Sequence, residues 1–257
     1  ANLQSLLNRA KSGTYFAPPV RRVYIPKGRG DATRPIGIPA FEDKVLQRAV
    51  TIIVEAIYEQ DFLGCSYGYR PGVGALDAVR DLSAALRSGR YHYLVEADIR
   101  GFFDNLDHER LIELLELRVD DKPFLKLIRK WLKAGILEPD GAVEHPEKGS
   151  PQGGSVSPIL ANIYLHYALD VWFERTVKTR CRGAAYLCRY ADDYVCAFQY
   201  RRDAERFYRA MPQRLQKFGL TVAPQKTRIL RFSRFHPGLR RRFAFLGFEL
   251  YWARDRR

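Results

Sequence analysis

Ala185-Tyr-Leu-Cys-Arg-Tyr190-Ala-Asp-Asp193-Tyr-Val-Cys-Ala-Phe198 is the stretch whose reading decides the fold. Two runs of aromatic, β-branched and small apolar residues flank a short polar connection, the pattern of a β-hairpin. The predicted strands are Ala185 to Tyr190 and Tyr194 to Phe198, joined by Ala191-Asp192-Asp193. Tyr186, Cys188 and Tyr190 alternate with Leu187 and Arg189, as a strand pattern requires. Two adjacent aspartates at a hairpin tip read in two ways: as an ordinary polar turn, or as carboxylates held at a fixed point by stiff flanks.

Upstream, Tyr93-Leu-Val-Glu-Ala-Asp98 is a short apolar strand that closes on a carboxylate. Around these strands the apolar spacing predicts helices. Phe41 to Tyr58 carries Val45, Leu46, Ala49, Ile52, Ile53 and Ala56 on one face. Gly74 to Arg87 is a second helix, stopped at Gly89, and His108 to Leu117 a third, with Asp107 as its N-cap. Ser157 to Val177 and Arg202 to Phe218 complete the set, the last with Pro212 expected to kink or limit it. Further strands are expected at Leu220–Val222, Thr227–Phe232 and Phe243–Tyr251. The class is α+β, with helices packed against an antiparallel sheet.

Asp98, Asp192 and Asp193 repel one another if brought together, and a cation would relieve the repulsion. Two Mg²⁺ ions, or Mn²⁺ in their place, suit an all-oxygen set and keep positions open for substrate phosphates. Such a pair serves in-line phosphoryl displacement.

Charge points to a polyanionic partner. Residues 1–34 hold 7 basic and 1 acidic side chains, residues 201–257 hold 16 and 4, and the middle holds 20 and 24. Arginines interleave with aromatics in Arg228-Ile-Leu-Arg231-Phe232-Ser-Arg234-Phe235, where forks match phosphate and rings stack on bases. No apolar run is long enough to span a membrane, and the start lacks the pattern of a secretory signal. Four cysteines without metal-site spacing suit a reducing compartment.

Tyr190-Ala191-Asp192-Asp193 resembles the YxDD box of reverse transcriptases, in the form common among group II intron-encoded and related bacterial enzymes. The resemblance continues in order along the chain. It takes in Ile25-Pro-Lys27, Arg34-Pro-Ile-Gly-Ile-Pro39, Ser66-Tyr-Gly-Tyr-Arg70-Pro-Gly, Asp98 to Asp107, Gly149-Ser-Pro151-Gln152-Gly-Gly154, Gly219 to Lys226 and Phe245-Leu-Gly247-Phe. It implies a right-hand polymerase core, with fingers at 1–90 and 106–148 and palm at 91–105 and 149–257. The family's helical thumb has no counterpart before Arg257, so a fingers–palm fragment is expected.

The resemblance also implies roles. Asp98, Asp192 and Asp193 are the catalytic carboxylates, with the Ile99 carbonyl completing one ion's shell. Phe103 is the ring against the sugar C2′ that favours dNTPs. Lys27 and Arg34 hold the triphosphate from a hairpin turning at Gly28-Arg29-Gly30-Asp31, and Gln152 lies beside the nascent base pair. Lys226 protonates the departing pyrophosphate, a role it shares in this reading with that of an ordinary turn lysine. Phe245, Leu246 and Gly247 form the primer grip, or else core beneath it. The implied partners are an RNA template (intron RNA), a DNA or RNA primer and dNTPs, with self-association into a homodimer and a bacterial cytoplasmic location. A maturase, clamping intron RNA to assist splicing, is the other function that the resemblance allows.

Overall fold

The computed structural model of the 257-residue chain describes residues 2–26, 33–150, 153–235 and 241–253. In chain order its elements begin with α1 (Leu3–Ser12), β1 (Val20–Pro26), β2 (Thr33–Ile38), α2 (Phe41–Tyr58) and α3 (Ala75–Arg87). Next come β3 (Tyr93–Ala97), α4 (His108–Glu116), α5 (Lys122–Leu132), β4 (Ile136–Leu137), β5 (Val143–Glu144) and α6 (Ser157–Leu165). The remainder holds α7 (Lys178–Arg180), β6 (Ala185–Tyr190), β7 (Asp193–Phe198), α8 (Arg201–Gln216), β8 (Arg228–Arg231), β9 (Arg242–Phe245) and β10 (Phe248–Tyr251). No helix among the described residues is long and apolar enough to cross a membrane.

The chain divides into two compact units, residues 1–60 with 101–164 and residues 61–100 with 165–257. The compact units are not the expected fingers and palm under other names: 61–90 lies in the second unit, and 101–105 and 149–164 lie in the first.

In the first unit, β1 pairs antiparallel with β2 and parallel with β4, which pairs antiparallel with β5. α2 spans the expected residues, but of the face expected to pack only Leu46 is buried; Val45 is half-buried and Ala49, Ile52, Ile53 and Ala56 are exposed, because the helix turns a neighbouring stripe inward. Val50, Val54 and Tyr58 recur every fourth residue on its buried face, and the Tyr58 hydroxyl donates to the Leu114 carbonyl at 3.0 Å. Asn2 caps α1 by accepting from the Gln4 and Ser5 amides, and the Asp107 side chain caps α4 by accepting from the Arg110 amide at 2.8 Å.

The second unit is built on an antiparallel sheet in the order β6-β7-β3-β8. The partners Leu94↔Ala197 and Cys188↔Val195 put these four residues on one face, where Ala78, Leu82 and Leu86 of α3 and Phe232, Phe243 and Phe245 pack on them. Phe198 and Cys196 turn to the other face, and Phe198 meets Phe207 of α8 with ring centroids 5.3 Å apart. Both faces being covered, Leu187 to Arg189 and Tyr194 to Phe198 are buried without alternation, the pattern of a central sheet. Each fully buried residue such as Leu94 or Val95 contributes about 1.5–3 kcal/mol.

The structure differs from the sequence expectations in several places. The helix expected from Ser157 to Val177 is regular α-helix to Leu165, carries π turns at His166–Asp170 and Phe173–Val177, and runs on as α7 to Arg180. Pro212 sits inside α8 without ending it. Leu220–Val222 forms no strand, only a single bridge between Val222 and Ile99. Phe243–Tyr251 is two short strands, because Leu246 (φ 53°) and Gly247 (φ 80°) both adopt the left-handed turn of a tight hairpin.

Candidate active site

Asp98 follows directly on β3, the strand flanked by β7 and β8, so its position is set by pairing on both sides. The residues after it are pinned as well. The Ala223 amide donates to the Asp98 carbonyl at 2.8 Å and the Arg100 amide to the Thr221 carbonyl at 2.8 Å. In this antiparallel arrangement Ile99 faces Val222 as the non-hydrogen-bonded pair, so its own N–H and C=O point away from that segment.

Asp192 and Asp193 stand at the turn between β6 and β7. Tyr190 pairs with Asp193, which leaves Ala191 and Asp192 as the whole connection, one residue shorter than expected. Ala191 has φ 54°, a left-handed conformation that costs a residue with a Cβ about 1–3 kcal/mol. A side chain that the sequence reading passed over holds it there. Arg189 is fully buried and donates from Nη1 to the Ala191 carbonyl at 3.0 Å, from Nη2 to the Ser66 hydroxyl at 2.7 Å, and through Nε and Nη2 to both oxygens of Asp170. The available signal was an arginine inside an otherwise apolar strand, with an aspartate in an apolar helix to answer it.

The three carboxylates feel one another. Burial, then Asp192, then Asp98 raise the Asp193 carboxyl above the ordinary carboxylate range, and Lys226 partly offsets them. Lys226 lies in the 3₁₀ turn Pro224–Lys226, and its ammonium donates to Asp98 Oδ2, which raises its own pKa. Among the described residues, no three His, Cys, Asp or Glu side chains stand ready arranged around a metal ion. Lys226 now engages Asp98 where an ion would compete. Its side chain is 62% exposed, so it can move aside. The repulsion that Lys226 leaves among these hard oxygen donors is what a divalent cation would relieve.

The other expected residues are distributed as follows. Phe245 is buried in the core, while Leu246 and Gly247 form the β9–β10 turn. In the first unit, Phe102 is buried and Phe103 half-buried in a 3₁₀ turn, with ring centroids 5.4 Å apart. Arg34 is exposed on β2, opposite Ile25. Lys27, the expected turn at Gly28-Arg29-Gly30-Asp31, and Gln152 lie outside the described residues. Gly153, with φ 115°, comes so near Gly37 that a Cβ would lie 2.4 Å from its carbonyl oxygen, an approach open only to glycine.

Residues 25–250 match the family described as reverse transcriptase (RNA-dependent DNA polymerase). The group II intron-encoded protein LtrA of Lactococcus lactis subsp. cremoris is 44% identical over 164 residues, which are 64% of this chain and 27% of LtrA. Protein YkfC of Escherichia coli is 36% identical over 221 residues, 75% of this chain and 58% of YkfC. The chain therefore spans between about a quarter and three fifths of these relatives' lengths. Among solved structures, a telomerase from Candida albicans in complex with a fragment of telomeric RNA superposes with a TM-score of 0.68 at 15% identity, covering 97% of this chain and 48% of that one.

Proposed function

Because this chain belongs to the reverse transcriptase family, we propose that it is the RNA-directed DNA polymerase core of a group II intron-type protein. The observation that carries the reading is geometric: Asp98 follows β3, and Asp192 and Asp193 stand at the turn into β7, the strand paired with β3, so the three acids share one end of one sheet. A domain that only bound RNA has no use for three converging carboxylates.

In this reading Asp98, Asp192 and Asp193, with the Ile99 carbonyl, hold the divalent ions. Mg²⁺, or Mn²⁺, held there would supply Lewis-acid activation of the primer 3′-hydroxyl and charge neutralisation on the triphosphate. The primer 3′-hydroxyl gives up its proton to water, its oxygen bonds to the α-phosphorus, the bond from that phosphorus to the oxygen bridging to the β-phosphate breaks, and pyrophosphate leaves. Lys226, kept protonated by Asp98, moves off that carboxylate and delivers a proton to the leaving group. Lys27 and Arg34 grip the triphosphate, Gln152 borders the new base pair, and Phe103 excludes a 2′-hydroxyl. Phe245, Leu246 and Gly247 support the primer end. The basic flanks hold the RNA template, and the setting is a bacterial cytoplasm.

The test is single-nucleotide addition to a DNA primer on four RNA templates that differ in the templating base, with each dNTP and each NTP. Addition of only the complementary dNMP supports the reading. Equal use of NTPs removes Phe103 as a sugar gate. RNA binding with no addition favours the maturase role.

A further inference from the structure

The box Ser66-Tyr-Gly-Tyr-Arg70 takes no part in the chemistry above, yet it is fastened to the Ala191–Asp192 turn. Its backbone extends the free edge of β6. The Arg189 amide donates to the Cys65 carbonyl at 2.7 Å, the Tyr67 amide donates to the Arg189 carbonyl at 2.9 Å, and Ser66 bridges Arg189. Gly68 presses on the turn itself, so that a Cβ there would lie 2.3 Å from the Ala191 nitrogen and 3.0 Å from the Tyr190 carbonyl carbon.

The polar groups of the loop are spent on rigidity. The Tyr67 hydroxyl donates to Asp81 Oδ2 at 3.0 Å, and Tyr67 is buried. Arg70 Nη1 donates to the Leu63 and Ser66 carbonyls at 3.1 and 2.8 Å, with its guanidinium 5.4 Å from the centre of the Phe62 ring. Tyr69 is set apart by its backbone and its exposure. It stands at φ 56°, a conformation that a bulky residue adopts only when its surroundings impose it, and its side chain is turned outward, 49% exposed. Its ring lies 6.3 Å from that of Tyr190 at 44°, so two tyrosine rings adjoin at the end of β6 that leads into the Ala191–Asp192 turn. Of the three non-glycine residues with positive φ among those described, two, Tyr69 and Ala191, thus flank this one contact.

We infer that Tyr69, side by side with Tyr190, forms an aromatic ledge on which the 3′-terminal nucleotide of the primer rests. The inference builds on the polymerase reading of the carboxylates. A ring surface accepts any base or sugar, as a polymerase needs at a primer end of arbitrary sequence. Strain that fixes such a surface removes the entropic cost of ordering it on binding.

The experiment compares the 257-residue chain with Tyr69→Gly and Tyr69→Phe by fluorescence anisotropy, using a labelled DNA primer on an RNA template and the same RNA single-stranded. Glycine adopts the positive φ without strain, so Tyr69→Gly removes the ring and leaves the loop its conformation. The expected result is binding of primer–template weakened about tenfold in Tyr69→Gly, the scale of one lost stacking contact. Single-stranded RNA binding stays unchanged, and Tyr69→Phe stays within about twofold of the parent. Unchanged primer–template binding by Tyr69→Gly, or equal weakening for both nucleic acids, overturns the ledge. Dideoxynucleotide addition by the parent chain, run alongside, tests the polymerase reading separately, since the ledge is judged by binding alone.

Discussion

Arg189 and Asp170 face each other through two hydrogen bonds of 2.7 and 2.6 Å, and neither side chain is reached by solvent. The pair lies behind the turn that carries Asp192, and the remaining Arg189 nitrogen holds the Ala191 carbonyl. Removing one charge leaves the other buried and unanswered. Asp170→Asn is therefore expected to cost about 3–5 kcal/mol in urea unfolding. Arg189→Met combined with Asp170→Leu should cost much less than the sum of the single changes. Additive losses would mean that the two side chains do not act as a pair.

Gly68→Ala tests the contact that fastens the loop to the turn. Its Cβ would meet backbone, so the turn must shift, at about 1–3 kcal/mol, with loss of primer extension. Gly72 is the control, since it also has positive φ but has nothing within 4 Å of a Cβ. Gly72→Ala should lose about 1 kcal/mol and keep its extension rate.

Lys226→Ala should separate two effects of one lysine. Without the ammonium on Asp98, less Mg²⁺ should be needed for half-maximal rate. The maximal rate itself should fall at least tenfold, toward the about 10²–10⁴-fold contribution of a general acid. A titration of extension rate against Mg²⁺ reads both, and an unchanged maximal rate would remove the acid role.

Asp43 gives a pH signature in the first unit. It is 1% exposed, and burial raises its pKa from 3.8 to about 6, with Trp131 Nε1 donating to it at 3.3 Å and lowering it in part. The folded chain therefore holds this proton more tightly than the unfolded one. The resulting stability is fully present below the unfolded pKa of 3.8 and is lost as pH rises through about 6. Asp43→Asn removes the titration, so the variant should gain about 1–3 kcal/mol over the parent at pH 7.5. Near pH 4 it should gain little. Urea midpoints at the two pH values check the difference, and an equal gain at both would contradict it.

How far the sequence was legible depended on what each signal encodes. α2 was found to the residue in its bounds but not in its face: the helix carries two apolar stripes, and the one with Ile52 and Ile53 lies exposed while Val50, Val54 and Tyr58 pack. The hairpin was found but its turn was one residue too long, since strand propensity does not say whether Asp193 pairs with Tyr190. The π turns after Leu165 escaped because their apolar content also suits an α-helix. Leu220–Val222 has strand-forming residues but makes only one bridge, a fact of tertiary pairing. Within the candidate site, Asp98 after β3 and Asp192 and Asp193 at the β6–β7 turn stand where the strand pattern puts them. The Arg189–Asp170 pair was not, because a buried ion pair is visible only when both partners are placed.

The most direct test of the account is the single-turnover rate of templated dNMP addition as a function of Mg²⁺ concentration, for the parent chain, Asp98→Asn and Asp192→Asn. The account predicts a rate that saturates with Mg²⁺ and vanishes on chelation in the parent, and falls by at least about 10²–10³-fold in each variant. Addition by folded Asp192→Asn at the parent rate would contradict it.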